Sequence, residues 1–449
     1  MKTELKRDLG TWAAIAIVIG TVIGSGIFLV PKTMVQRVGS VEMVFAVWVV
    51  GGLLSLAGAL SYAELAAAIP EAGGEYAYLR EAYGPLWGYL YSWTQMWVGK
   101  SGSIATLASG FYLYLANFFP SLTVPFFSIN VPLLGEMTFL NGQVIGIVLI
   151  LLLAWLNYCG VKLGGDVQVA ITILKVALII AIILAGLAFG QKHAPAEGSI
   201  GPLTFSGFIA ALVAALWAYD GWNNVSMVSS EIREPQRNLP LALIGGTLAV
   251  AAIYLLANAA YFYVLAPAEV ASVDRVASEM MRRIFSNAGA NAVAIAAMIS
   301  MFAALNGSIL AGSRVPYAAA REGYFFKGIA TVTPKYRTPG NSIVVMSLWS
   351  CLLLLSGKYE DLFNLVIFAS WIMYGMTAAA VIVLRKKRPD LPRPYKTLGY
   401  PLVPLLFVVG ASILIVTTAI NRPVDSIKGI LLIILGIPFY YYWKSRRTA

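Results

Sequence analysis

Long apolar blocks divided by short polar ones run the length of the chain, and most reach the ~20 residues that a helix needs to cross a bilayer. The pattern predicts about twelve transmembrane helices, at roughly 11–30, 42–69, 84–117, 142–162, 167–189, 206–230, 240–265, 291–313, 341–356, 361–384, 401–420 and 425–442. The third is long enough to tilt strongly or to run past the membrane. The expected fold class is an all-α membrane protein.

Two spans carry polar or flexible residues at mid-membrane. In the first, Gly20-Thr21-Val22-Ile23-Gly24-Ser25-Gly26-Ile27-Phe28 sets glycines around a serine. Glycine is a poor helix former, so the helix unwinds here at least cost. An unwound turn aims free N–H groups and a helix N-terminus at an anionic ligand such as a carboxylate. The alternative is close helix packing through Gly20 and Gly24. In the sixth, Trp217-Ala218-Tyr219-Asp220-Gly221-Trp222-Asn223-Asn224 puts an acid, a glycine and two asparagines inside Ser206–Ser230. An intramembrane Asp is a functional candidate by default. If the first ten spans form two repeats of five, the breaks fall at matching positions, a pattern that points to a transporter's midplane site. The pairing favours a binding site over packing.

Composition agrees with a polytopic chain: 59% hydrophobic, 12% charged, mean hydropathy +0.77. A soluble enzyme is excluded on that balance. The net charge of +11 does not call for nucleic acid, because basic cytoplasmic loops supply it. An even number of spans puts both termini on one side. With that side cytoplasmic, most of the 32 basic residues face inward, including Arg385-Lys386-Lys387-Arg388 and Lys444, Arg446 and Arg447. The outer loop 118–141 then holds none. The positive-inside rule thus predicts cytoplasmic termini, 1–10 and 443–449, on a protein of the cytoplasmic membrane.

Met1–Asp8 leads straight into a full-length span, so no signal peptide is expected. Cys159 and Cys351 fall in predicted spans and imply no disulfide framework. His193 reads as a solvated loop residue. No cluster has metal-ligand spacing, no nucleophile–base pair is legible, and neither a cofactor nor enzymatic activity is expected. Between the second and third spans, Pro70-Glu71-Ala72-Gly73-Gly74-Glu75-Tyr76-Ala77-Tyr78-Leu79-Arg80 breaks at its glycine pair. Its tyrosines suit an interfacial turn or short amphipathic helix, an ordinary connecting loop being the alternative.

Two buried cations need partners. Lys175 lies near the middle of Asp166–Phe189, too deep to snorkel, and requires carbonyls, hydroxyls or an anion. It reads as functional. Lys100, between Gly99, Ser101 and Gly102, reads instead as bracing helices through carbonyl contacts.

Several of these stretches resemble one family. Gly24-Ser25-Gly26-Ile27-Phe28, the Pro70…Gly73-Gly74…Tyr76 loop, Ala218-Tyr219-Asp220-Gly221-Trp222-Asn223 and Arg233-Glu234-Pro235-Gln236-Arg237-Asn238-Leu239-Pro240 are similar to motifs of the amino acid–polyamine–organocation superfamily. So are Asn306-Gly307-Ser308…Ser313-Arg314, Arg321-Glu322-Gly323 and Arg388-Pro389-Asp390-Leu391-Pro392-Arg393-Pro394-Tyr395. Within the superfamily the chain most resembles the L-type amino acid transporters, in a prokaryotic form. The motifs run in order from the first span to the eleventh, so the resemblance covers essentially the whole chain.

The resemblance implies a leucine-transporter-type fold. Five spans (11–190) are repeated with inverted topology (206–384), two additional helices follow (401–442), and helices 1 and 6 are unwound at mid-membrane. Carried onto this sequence, it puts a substrate carboxylate on the backbone N–H groups around Gly24, Ser25 and Gly26. The amine falls on carbonyls near Val22, Trp217 and Asp220, and Ile23, Ala218, Gly221 and Ser103 complete the expected binding set. Trp217 matches a gating aromatic, with Tyr219 and Asn223 expected to take part in gating. Lys175 matches a lysine of the fifth span, and Ser308 its polar partner in the eighth. Sodium-coupled relatives of the fold hold a sodium ion between those helices. An ammonium there takes its place and argues against sodium coupling.

Two departures are visible. The animal L-type transporters join a glycoprotein subunit through a cysteine in the loop after the third span. Here that loop has none, so no disulfide-linked glycoprotein subunit is expected. Many relatives carry a small residue where Asp220 stands, which leaves open whether its carboxylate faces the substrate amine or caps the broken helix.

The expected function is sodium-independent secondary transport of neutral L-amino acids across the cytoplasmic membrane by alternating access, with exchange preferred. Proton-coupled symport and polyamine or organic-amine antiport are the alternatives. A polyamine site wants several acids for its second ammonium, and only Asp220 is at hand. A channel needs a continuous polar lining, which isolated broken helices do not supply. Trp217 and Trp371 would narrow the site toward small substrates. The expected partners are amino acids and the lipid bilayer.

Overall fold

The computed structural model describes residues 5–131, 135–192, 204–356 and 359–448; His193 lies outside them. Local chemistry sets the helix starts. Ser40 accepts the Met43 N–H at 3.3 Å ahead of Val41–Ala68, and Thr204 accepts the Gly207 N–H at 3.0 Å ahead of Phe205–Ala218. Pro235 and Pro423 open their helices, where a missing N–H costs nothing.

Among the described residues eight helices are long and apolar enough to cross a membrane, and Thr11–Val22 with Gly26–Val38 makes a ninth if that bent pair is one span. Three predicted spans fall short, each for a visible reason. The third is divided into Pro85–Thr94, a π-turn at Gln95–Gly99 and Lys100–Leu115. The sixth is broken after Ala218, and the ninth, Gly340–Ser356, has only 17 residues.

The helices form an inner group and an outer one. Val276–Gly312 packs against Lys100–Leu115, Val161–Phe189 and Thr11–Val22. The most apolar window of its span is 78% buried, against 22% for Leu402–Asn421. The outer helices instead expose Leu402, Leu406, Val409, Val416 and Ile420, an apolar face that only lipid can cover. One departure from an all-α chain stands in the loop after the third span, where Pro125–Val131 pairs antiparallel with Gly135–Leu140. That segment is rich in Phe, Ile, Val and Thr, which fit a pleated strand.

Both termini lie on one face, which is densely tied. Leu9 bridges Ile232, and Glu231 forms a fully buried, doubly bonded ion pair with Arg314 (2.7 and 3.0 Å). Arg447 donates to the Tyr324 hydroxyl at 2.8 Å, and Arg80 pairs with Glu322.

Candidate functional site

The two breaks are built alike and lock together. Thr11–Val22 ends at Ile23, whose extended backbone (ψ 91) stops the ladder, and Gly26–Val38 restarts at an angle of 41°. Phe205–Ala218 ends in a turn over residues 219–223 before Asn224–Met227. That turn requires Gly221, whose φ of +108° strains any side chain. Thr21 Oγ1 donates to the Gly221 carbonyl at 2.9 Å, and a Cβ added to Gly26 would sit 2.7 Å from the Ala218 Cα. The broken helices therefore touch at backbone distance. Packing and unwinding, alternatives in sequence, are here one arrangement.

Between the breaks is a small cavity of about 30 Å³, lined by Gly24, Ser25, Gly26, Ser103, Trp217 and Asp220 among others. It has room for about two water molecules, not for an amino acid. Gly26, the first residue of its helix, stands on the cavity wall, so the positive end of that helix meets the cavity. Beyond Trp217 lies a vestibule of about 1230 Å³ whose walls include Lys32, Arg37, Asp274 and Arg422, at the ends of helices remote from the termini. Trp217 lines both spaces. It is the partition between them.

An unwound turn inside hydrocarbon exposes carbonyls that must find donors. Lys175, fully buried, supplies them: its Nζ donates to Gly20 O at 2.7 Å and Ile23 O at 2.5 Å. Ser300 Oγ donates to Ile23 O at 2.9 Å. The Tyr254 hydroxyl lies 2.7 Å from Ala218 O and 3.1 Å from Val22 O, and so bridges the C-terminal ends of both half-helices.

The expected residues divide accordingly. Val22, Gly24, Ser25, Gly26, Ser103, Trp217, Asp220, Gly221 and Ser308 line the cavity. Ile23 and Ala218 contribute carbonyls to Lys175 and Tyr254. Ser308 is not the donor paired with Lys175 on the first-span carbonyls; Ser300 is. Asp220 keeps an edge on the cavity while its Oδ1 accepts from the Tyr374 hydroxyl at 2.9 Å. Asn223 points away, bonding the buried Glu75 carboxylate, and its neighbour Asn224 reaches the cavity instead. Tyr219 donates to Trp48 O at 3.1 Å, and Trp371 stacks on Phe407 rather than narrowing the site. Lys100 braces through a side chain, donating to Asn224 Oδ1 at 2.5 Å. Sequence reasoning missed Tyr254, Ser300, Asn224 and Glu75. Tyr254 had a signal: a hydroxyl one turn from Asn258 in the middle of the apolar Pro235–Val264.

A family model described as "Amino acid permease" matches residues 9–439. A serine/threonine exchanger of Bacillus subtilis (strain 168) is 33% identical over the full length of both chains. The b(0,+)-type amino acid transporter 1 of Mus musculus is 34% identical, covering 98% of this chain and 89% of its own. The human cystine/glutamate transporter is 31% identical, covering 98% and 86%.

Two substitutions separate packing from ligand contact. Gly26→Val drives side-chain atoms into the Ala218 backbone and is expected to abolish transport and lower the melting temperature. At Gly24 the nearest obstacle to a Cβ is the end of the Leu107 side chain at 3.3 Å. Gly24→Ala is therefore expected to keep the melting temperature within a few degrees while weakening substrate binding, read by ligand-induced thermal shift. Lys175→Ala takes the lysine donor from Gly20 O, at ~1–3 kcal/mol, and leaves Ile23 O to Ser300. Protein in the membrane and substrate binding are expected to persist, with the translocation rate falling roughly tenfold or more. Wild-type uptake rates in Lys175→Ala would make the lysine structural only.

Proposed function

Because the chain belongs to the amino acid permease family, we propose that it is a sodium-independent exchanger of small neutral L-amino acids working by alternating access. The observation that carries this reading is the cavity held between two broken helices, with a helix N-terminus and a carboxylate on its walls and Trp217 between it and a vestibule. The N–H groups after Gly24 hold the carboxylate, and Asp220 with the carbonyl ends near Val22 and Trp217 faces the amine. A serine/threonine exchanger among the relatives makes serine and threonine the first substrates to try.

In this reading the termini are cytoplasmic, helices 1–5 and 6–10 of a twelve-helix chain are inverted repeats, and the form described faces outward. Lys175 occupies the place a sodium ion would take. The loop 118–141 contains no cysteine, so the protein works without a disulfide-linked subunit.

Proteoliposomes test the proposal. Uptake of labelled serine is expected to require unlabelled amino acid inside and to be unchanged when sodium is omitted. Serine methyl ester and N-acetylserine, each lacking one of the two charged groups, should fail to compete. Competition by either as strong as that of serine would overturn the binding model. Trp217→Ala opens the partition, so transport should fall far more than binding; equal losses would make Trp217 a pocket wall.

A further inference from the structure

A separate cavity of about 580 Å³ lies on the outside of the bundle, within the ~300–1,000 Å³ range of ligand pockets. Every residue lining it is apolar. Trp93 and Trp97 form one wall, Trp349 another, and Phe439 and Trp443 of the last helix a third, with Phe326 at one end. The walls are built rather than incidental. Trp93 Nε1 donates to Leu432 O at 2.9 Å and Trp349 Nε1 to Trp97 O at 3.0 Å, so these indoles spend their polar edges on backbone and turn their apolar area to the groove. The last helix seats against Trp93 at Gly436, where a Cβ would meet the indole at 2.9 Å. Phe326 and Leu435 are more than half exposed, so the groove opens sideways to the bilayer.

Its terminus-side end is basic. Phe326 is followed by Lys327 and Trp443 by Lys444, with Arg446 and Arg447 beyond; all four are exposed. Arg446 and Arg447 lie over the Tyr442 and Tyr324 rings, which holds their heads against aromatic faces.

We propose that this groove binds an anionic phospholipid of the terminus-side leaflet, its acyl chain along Trp97, Trp349 and Phe439 and its phosphate on Lys327 and Arg446. Hydrocarbon is the solvent of the groove, so a chain enters without competing water. The cations at its mouth then choose the headgroup, each favouring an anionic lipid by about fivefold.

The tryptophan walls make the test direct. The full-length protein is reconstituted in phosphatidylcholine with an equal mole fraction of acyl-brominated phosphatidylglycerol or acyl-brominated phosphatidylcholine. Tryptophan fluorescence is expected to be quenched more by the brominated phosphatidylglycerol. The combined Lys327→Gln and Arg446→Gln variant should lose that excess. Trp97→Phe with Trp443→Phe, which keeps the groove apolar but removes two reporters, should lower it. Equal quenching by both lipids, or an excess untouched by the charge variant, overturns the proposal. So does stronger quenching by a brominated sterol, or a dimer by light scattering whose tryptophans neither lipid quenches. The last result would assign the face to a second copy of the chain.

Discussion

Everything at the centre of this protein depends on backbone carbonyls that two broken helices leave bare in the middle of a membrane. Water cannot satisfy them there, and each would cost several kcal/mol unpaired. The chain satisfies them with a few donors from other helices. Lys175 takes Gly20 and Ile23, Ser300 shares Ile23, Tyr254 serves Val22 and Ala218, and Thr21 takes Gly221. A lysine suits the first task because one ammonium offers three donors. Its charge, prohibitive in bare hydrocarbon, is spread over carbonyl dipoles.

The same requirement explains the glycines. Gly26 lies against the Ala218 backbone, and Gly20 against Gln168 and Thr172, because donors and acceptors must come within about 3 Å across helix axes. A Cβ at either place separates the partners. Gly221 is different: its positive φ lets the sixth span turn and present its carbonyl to Thr21. Gly24 has more space around it, and that space is the cavity. Close packing and ligand access are thus divided among neighbouring glycines of one motif.

Much of this was legible in the sequence, and the misses have a common cause. Glycine-rich breaks and charged residues in apolar runs declare themselves, because hydrocarbon makes them expensive. The two broken spans and Lys175 were visible for that reason. A lone serine hydroxyl in a helix is cheap, since it can bond back to its own backbone, and so Ser300 carried no warning. Ser308 and Ser300 are eight residues apart, ~12 Å along a helix, a depth that spacing alone does not assign to a partner. Asn223 and Asn224 differ by about 100° around the helix axis, which sends one to Glu75 and the other to the cavity. The pairing of Pro125–Val131 with Gly135–Leu140 fell in a stretch too short to cross the membrane, which the span pattern assigned to loop.

The ties around the breaks are of two kinds, and the difference constrains how the molecule can move. Thr21 to Gly221, Gly26 on Ala218, and the shared Tyr254 hydroxyl join the first broken helix to the second, with Pro235–Val264 holding both. Of these ties, Gly26 on Ala218 lies at backbone distance, and together they make the two breaks one packed body. Lys175 and Ser300 fasten that body to Val161–Phe189 and Val276–Gly312 through side chains alone. A lysine can follow a shifting carbonyl by changing rotamers; a glycine packed on a backbone cannot. On the terminus side stands the buried Arg314–Glu231 pair, whereas on the far side Trp217 lines both cavity and vestibule. The two sides of the cavity are therefore built unequally. An indole, which a rotamer change can displace, stands on one side, and a fully buried, doubly bonded ion pair lies toward the other.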